Sequence, residues 1–311
     1  MVTLAAWVQS WIESRSIRLA PSTVSGYNGL LRKYITPSPT GLIPIDEVAP
    51  EDLIILLSPI IAAGHTRAAQ LTQVLVGAAL HDAVRQRAIA WNPMDAIDRV
   101  HHRKKYTSWL TIDQARDLLT SARAASDPYY VAWLLGLCCG LRRGEILGLM
   151  WVDIDLTCAV IHVRRQRVRV DGSIIEAAPK TDASIRDIPL APQLADALRS
   201  CRKPEARYVL ETSGGKPVSD KQLQNALRRA LARADLPPIT LHGLRHSMAA
   251  TAATEGIPIK VLQSIMGHAQ YSTTADIYAH VDKAAIRAAA NVISIATLAG
   301  KMENGARLEI V

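Results

Sequence analysis

Through residues 2–95 the apolar positions recur at helical spacing. In LAAWVQSWI, Leu4, Trp7, Val8 and Trp11 form one stripe, as on an amphipathic helix. PSTVSGYNGLLRKYI opens on Pro21 and Ser22, a start signal, and PEDLIILLSPIIAAG follows Pro50. The longest periodic run, HTRAAQLTQVLVGAALHDAVRQRAI, extends from His65 to Ile89. These segments predict a small helical bundle over residues 1–99. The periodicity then stops at five consecutive ionisable residues, His101, His102, Arg103, Lys104 and Lys105. Residues 100–106 read as a basic linker, either a solvated connector or a strand of chain that grips phosphates.

Beyond the linker the pattern is mixed. TIDQARDLLTSAR has Thr111 and Gln114 in capping-box spacing. DPYYVAWLLGLCCGLRRGEILGL reads as one helix, a break at Gly140, and a second helix beginning near Arg142. AVIHVRRQRVRV and SIIEAA alternate on either side of Asp171-Gly172, a hairpin signal, and SIRDIPL reads as a third strand. Helices are expected over 192–200, 219–234, 242–254, 258–266, 273–280 and 283–297, with 298–311 as a tail. The chain is therefore predicted to be mainly α with a small antiparallel β-sheet: an N-terminal helical bundle and an α+β domain over 107–297.

Composition sharpens this only a little. There is no Phe, so Leu, Ile, Val, Ala and six Trp must fill the cores. A net charge of +8 favours a polyanionic partner without proving one. The four cysteines show no metal-ligand spacing and suit a reducing cytosol. The N-terminus lacks a basic-then-apolar leader pattern, and no apolar run approaches about 18 residues. A cytoplasmic location with no membrane partner is the expectation.

Three short stretches carry candidate chemistry. LHGLRH places His242, Arg245 and His246 three and four positions apart on one helix, where the three groups would point roughly the same way. Histidines four apart can hold zinc, but Leu-Arg replaces the glutamate of HExxH and no third ligand is evident, so no metal is expected. Arginine with histidine suits an anion: guanidinium grips phosphate oxygens in pairs and imidazole adds a donor. GLRRGE offers Arg142 at a helix start, where free amides also favour an anion, and Glu145 three residues on, placed to hold an arginine. The alternative for this stretch is an ordinary exposed Arg-Arg pair at a helix start. In MGHAQYSTTADIYAHV, Gly267 ends a helix, His268 follows in the turn, and Tyr278 falls on the inner face of the next helix. A lone tyrosine there is ordinarily a core residue. With an unperturbed pKa near 10, it needs cationic neighbours or a base to act as a nucleophile.

GLRRGE, HGLRH, MGH and TTADIY, in that order, closely resemble the tyrosine recombinases of the phage integrase family, over residues 107 to 285. The bundle resembles that family's core-site (SAM-like) DNA-binding domain. PKTDASIRDIPL matches the family's lysine at Lys180. The resemblance implies that Arg142 and Arg245 clamp the scissile phosphate, and that Tyr278 attacks it to leave a 3′-phosphotyrosyl link and a free 5′-hydroxyl. Lys180 would donate the leaving proton, and His242 and His268 would bond the phosphate or help activate the tyrosine. Glu145 and His246 would support these groups. No metal or nucleotide cofactor is implied.

The implied partners are double-stranded DNA with a core site of inverted half-sites, a homotetramer assembled on it, and an accessory factor that sets direction. Arg103, Lys104 and Lys105 of the linker are candidate DNA contacts. So are Arg165, Arg167 and Arg169, which strand alternation places on one face as a phosphate-facing row. Because the first helix begins near Leu4, the expectation is a simple recombinase without an N-terminal arm-binding domain. Two alternatives stay open, a type IB topoisomerase-like relaxing enzyme and a non-catalytic DNA-binding regulator of the same fold. The Ala/Ile/Val-rich helix after Tyr278 favours assembly with neighbours.

Overall fold

The computed structural model describes residues 1–102, 108–170, 173–179, 184–202, 205–212 and 214–267. Two compact units divide the chain, one comprising Met1–Tyr106 with Val168–Ile175, the other Thr107–Arg167 with the remainder from Glu176.

Among its described residues the first unit contains four α-helices: α1 (Leu4–Arg15), α2 (Pro21–Leu30), α3 (Pro50–Ala62) and α4 (Thr66–Arg85). Leu4, Val8 and Ile12 of α1 and Leu75, Val76, Ala79 and Leu80 of α4 are buried together in one core. The two tryptophans of the α1 stripe do more than fill space. Trp7 donates its indole N–H to Ala79 O at 2.8 Å, and Trp11 donates to the Asp82 carboxylate at 2.7 Å. Buried indole N–H groups need such partners, and here they fix α1 against α4. The helix expected over 21–35 stops at Leu30 and continues as a π-helical turn, Leu31–Ile35, in which the Thr36 N–H reaches back to Leu31 O.

The second unit begins with α5 (Ile112–Ala124), whose capping box forms as expected: the Gln114 N–H donates to Thr111 Oγ1 and the Thr111 N–H donates to Gln114 Oε1. Next come α6 (Tyr130–Cys138), a break at Gly140 with φ +59°, and α7 (Arg143–Gly148). The strands are β1 (Ile154–Asp155), β2 (Val160–Val163), β3 (Gln166–Val170), β4 (Ser173–Ala177) and β5 (Arg186–Pro189), of which β3 and β4 carry the stretch Val168–Ile175 that falls in the first unit. Helices α8 (Pro192–Cys201), α9 (Asp220–Arg233), α10 (Leu241–Thr254) and α11 (Ile259–Met266) follow. Helix α6 is apolar on all sides and buried almost throughout, so it forms the centre of the unit with α5, α7, α8 and α10 around it. The helices expected over 273–280 and 283–297, and the tail 298–311, lie outside the described residues. Among the described residues no helix is long and apolar enough to cross a membrane.

The strands depart from the expected long hairpin. The segment 160–170 divides into two strands that enter different sheets. β2 is the centre of a three-stranded antiparallel sheet in the order β1-β2-β5, with Ile161 opposite Ile188, while β3 and β4 form a separate two-stranded sheet. The division falls at Arg164 and Arg165, whose side chains are drawn to opposite acids. Arg164 bonds Asp187 at 2.6 Å and Arg165 bonds Asp153 at 3.0 Å. SIRDIPL thus pairs with β2 rather than extending the hairpin.

Helices α6 and α10 approach closely at Gly136, where an added Cβ would meet Leu244 Cβ at 3.0 Å and Cδ1 at 3.1 Å. Leu244 is fully buried and cannot swing away. Gly136→Val is therefore expected to wedge α10 from α6 and cost about 1–3 kcal/mol, the usual range for overpacking. A lower urea midpoint on the buried-tryptophan signal, with DNA-free protein, checks this; an unchanged midpoint rules out the close contact.

Candidate active site

The site assembles around the carboxyl end of α11. Its last carbonyls are left without helical partners, and the chain leaves through Gly267 in the left-handed conformation, φ +62°. Three consecutive carbonyls there each accept from a guanidinium. Arg186 Nε donates to Ile265 O at 2.6 Å, Arg245 Nη2 to Met266 O at 2.6 Å, and Arg142 Nη2 to Gly267 O at 2.5 Å. A helix carboxyl end carries partial negative charge and attracts cations. Arginines from three separate elements are gathered by this one helix end.

Arg245 is fully buried, and its Nη1 also donates to Gly140 O at 2.5 Å. The break at Gly140 is what turns that carbonyl toward α10. Burial, then the charge of Arg142, pulls the Arg245 pKa down to about 9, which leaves it cationic at neutral pH. Each terminal nitrogen of a guanidinium carries two hydrogens, so both keep one for a further oxygen. Arg142 has 31% of its side chain exposed and is the more open of the two.

Glu145 holds this array together. It accepts from Arg142 Nη1 at 2.9 Å, from the Arg142 backbone N–H at 2.8 Å, and from both terminal nitrogens of Arg186 at 3.0 and 2.9 Å. Burial alone would raise its pKa. The bonds and charges of Arg186 and Arg142 outweigh that and hold it below the usual carboxylate range. The amide that the sequence offered to an anion, at the start of α7, is thus taken by Glu145 itself.

Helix α10 splits the histidine–arginine trio. Arg245 turns inward, whereas His242 lies exposed and His246 half-buried, their rings edge to face with centroids 4.5 Å apart. The crowded surroundings of His242, then His246, Arg245, Arg142 and Arg143, pull its pKa down to about 4, tempered by water at its exposed face. His246 is lowered by burial and by Arg245. Both rings are neutral at physiological pH.

Of the residues singled out from sequence, Arg142, Glu145, His242, Arg245 and His246 come together. Lys180, His268 and Tyr278 lie outside the described residues, as do Arg103, Lys104 and Lys105. The hairpin row is divided. Arg165 is engaged with Asp153, and Arg167 donates to Val218 O at 3.2 Å and lies over the Tyr208 ring. Arg169 is exposed. Arg186 was missed. Its signal was in SIRDIPL, where period-two alternation puts Arg186 on the same side as the core residue Ile188, a position an arginine occupies only when paired.

Residues 108–285 match the model of the phage integrase family. A tyrosine recombinase XerC-like protein of Caldanaerobacter subterraneus is 32% identical over 174 residues, 48% of this chain and 44% of that one. The integrase of Mycobacterium phage L5 is 27% identical over 281 residues, 86% and 72% of the two chains. The first curated relatives are matched over about half their length. A solved structure of the Tn1549 transposon integrase, in complex with a circular-intermediate DNA, superposes with TM-score 0.81 over 94% of this chain and 100% of that chain at 24% identity; at that identity the likeness establishes the fold.

A histidine whose folded pKa lies below its unfolded value binds its proton later than the unfolded chain does. Stability is then complete above pH 6.5 and declines as pH falls toward the folded pKa. In a proton NMR titration the His242 resonance is expected to stay in its neutral form well below pH 6.5, and His242→Gln is expected to flatten part of the loss of stability between pH 6.5 and 4. A His242 midpoint at or above 6.5 contradicts the cationic surroundings described.

Proposed function

The chain belongs to the phage integrase family, and on that premise we propose that it is a site-specific DNA recombinase. It cuts and rejoins DNA through a 3′-phosphotyrosyl intermediate and so integrates or excises a phage or other mobile element. One observation carries this reading. Arg142 and Arg245, from different elements, are anchored on adjacent carbonyls of one helix end, each with hydrogens to spare, beside the neutral His242. Two fixed guanidiniums on one spot suit the non-bridging oxygens of a phosphodiester, where negative charge develops during displacement.

In this reading Arg142 and Arg245 grip those oxygens while His242 and His268 donate hydrogen bonds or assist the tyrosine. The Tyr278 oxygen attacks phosphorus as its proton passes to the histidine that assists it, the bond to the 5′ oxygen breaks, and Lys180 gives that oxygen its proton. Rejoining runs the same steps backward, so the phosphoester energy is kept and no nucleotide is consumed. The roles of Lys180, His268 and Tyr278 rest on their motifs. The partner is a double-stranded core site with inverted half-sites, each bound by one copy in a tetramer, with the N-terminal bundle reading DNA and an accessory factor setting direction. The cytoplasm is the setting, and the four cysteines, all free, fit a reducing compartment.

Covalent capture tests this. A pool of nicked duplexes cut from element–chromosome junctions, incubated with the protein and denatured, is expected to leave protein joined to a 3′ end, whose sequence defines the core site. Tyr278→Phe is expected to abolish the adduct and keep DNA binding, while Tyr271→Phe, at the other tyrosine of MGHAQYSTTADIYAHV, retains it; the reverse result moves the nucleophile. Lys180→Ala is expected to cleave slowly and recover when sulfur replaces the bridging 5′ oxygen, a better leaving group. Salt-sensitive binding with no adduct from any duplex leaves a regulator rather than a recombinase, and relaxation of supercoils without strand exchange favours a topoisomerase.

A further inference from the structure

We infer that Arg186 is a positioning residue for the phosphate clamp: it ties Glu145 to the carboxyl end of α11 and so keeps Arg142 available to the phosphate. The inference rests on the strand-cleavage reading above, in which Arg186 has no part. Its side chain is 6% exposed, so it does not itself offer a surface to DNA. Its bonding is nevertheless extensive. Besides Ile265 O, Nη1 donates to Ser184 O at 3.0 Å and to Glu145 Oε1, and Nη2 donates to Glu145 Oε2.

The geometry decides what Arg142 can do. A carboxylate and a guanidinium, left to themselves, settle into a two-pronged pair. Were Glu145 to pair with Arg142 in that way, both terminal nitrogens of Arg142 would face the carboxylate and turn from the site. Arg186 occupies that two-pronged position instead. Arg142 is left with a single side-chain bond to Glu145, through Nη1, and its Nη2 stays on Gly267 O at the open side of the site. With four bonds accepted, two on each oxygen, Glu145 is saturated and its plane is fixed. Among the described residues the cluster sets one carboxylate against three guanidiniums, an excess of positive charge that the phosphate completes.

The groups facing Glu145 are Arg142 at the head of its own helix, Arg186 from β5 and Arg245 from α10. The Cys139 thiol beside Arg186 is pushed up by burial and stays neutral. Losing Arg186 removes the stronger of the two influences that keep Glu145 ionised. The Glu145 pKa then rises, and a protonated Glu145 can no longer accept from Arg142 along both edges.

The test uses the full chain and the nicked duplex recovered by covalent capture, with single-turnover cleavage followed against DNA concentration and pH. For Arg186→Lys, which keeps the charge and loses the fork, the saturating rate per active site is expected to fall about tenfold to a hundredfold, the scale of a small misplacement, with the half-saturating DNA concentration unchanged. For Arg186→Met the rate is expected to fall further as pH drops, over a range where the native protein is flat. Adding Glu145→Gln to Arg186→Met is expected to remove that acid limb, because no proton is left to bind. A native saturating rate in Arg186→Lys overturns the inference, even if Arg186→Met does not fold. So does a loss confined to the fraction of folded protein, with normal rate per site and no acid limb. Failure of the native protein to form any adduct overturns the cleavage reading itself, and this inference with it.

Discussion

The carboxylate of Glu145 is the group on which the site depends. A buried carboxylate is tolerated only when paired and fully hydrogen-bonded, and stripping one partner from such a pair costs about 3–5 kcal/mol. Here the demand is met twice over, by Arg142 from the same helix and Arg186 from β5. Because those two elements are far apart in sequence, the ion cluster locks the start of α7 to the sheet. It places cations at a spot where charge repulsion alone would scatter them.

The carboxyl end of α11 supplies the other half of the balance. A helix end offers several unpaired carbonyls in a small volume, each a partial negative charge with no proton to gain or lose. Three guanidiniums can gather there without a second carboxylate, which would have cancelled their charge and competed with a phosphate for their hydrogens. The arrangement keeps net positive charge in a largely buried site, and His242, kept neutral by its crowded surroundings and then by the same cations, adds a donor and acceptor without adding to the repulsion.

Packing makes this geometry stiff. Gly136 lets α10 lie close on α6, and the break at Gly140 turns a carbonyl onto Arg245. The apolar core of the second unit therefore ends directly beneath the cluster, and Arg245 is among its largest fully buried side chains. A long cationic side chain with no room to move has already lost the freedom that binding an anion would otherwise take from it.

What the sequence determined by itself was local. Helix periodicity, the Thr111 capping box, the break at Gly140 and the left-handed end at Gly267 are settled by a few neighbouring residues. So are the motifs around Arg142, Glu145, His242 and Arg245, since each spans a turn or two. The tertiary structure decided the rest. It sent β2 and β3, one alternating run in the sequence, into two sheets, with Arg164 on Asp187 and Arg165 on Asp153 at the division. It turned Arg245 inward and left His242 outside, although both sit on one helix. It brought Arg186 to Glu145 across 41 positions. Spacing along a chain can propose which charges stand on one face, but which charges meet is settled by the cost of burying each one unpaired, and that cost exists only once the elements have packed.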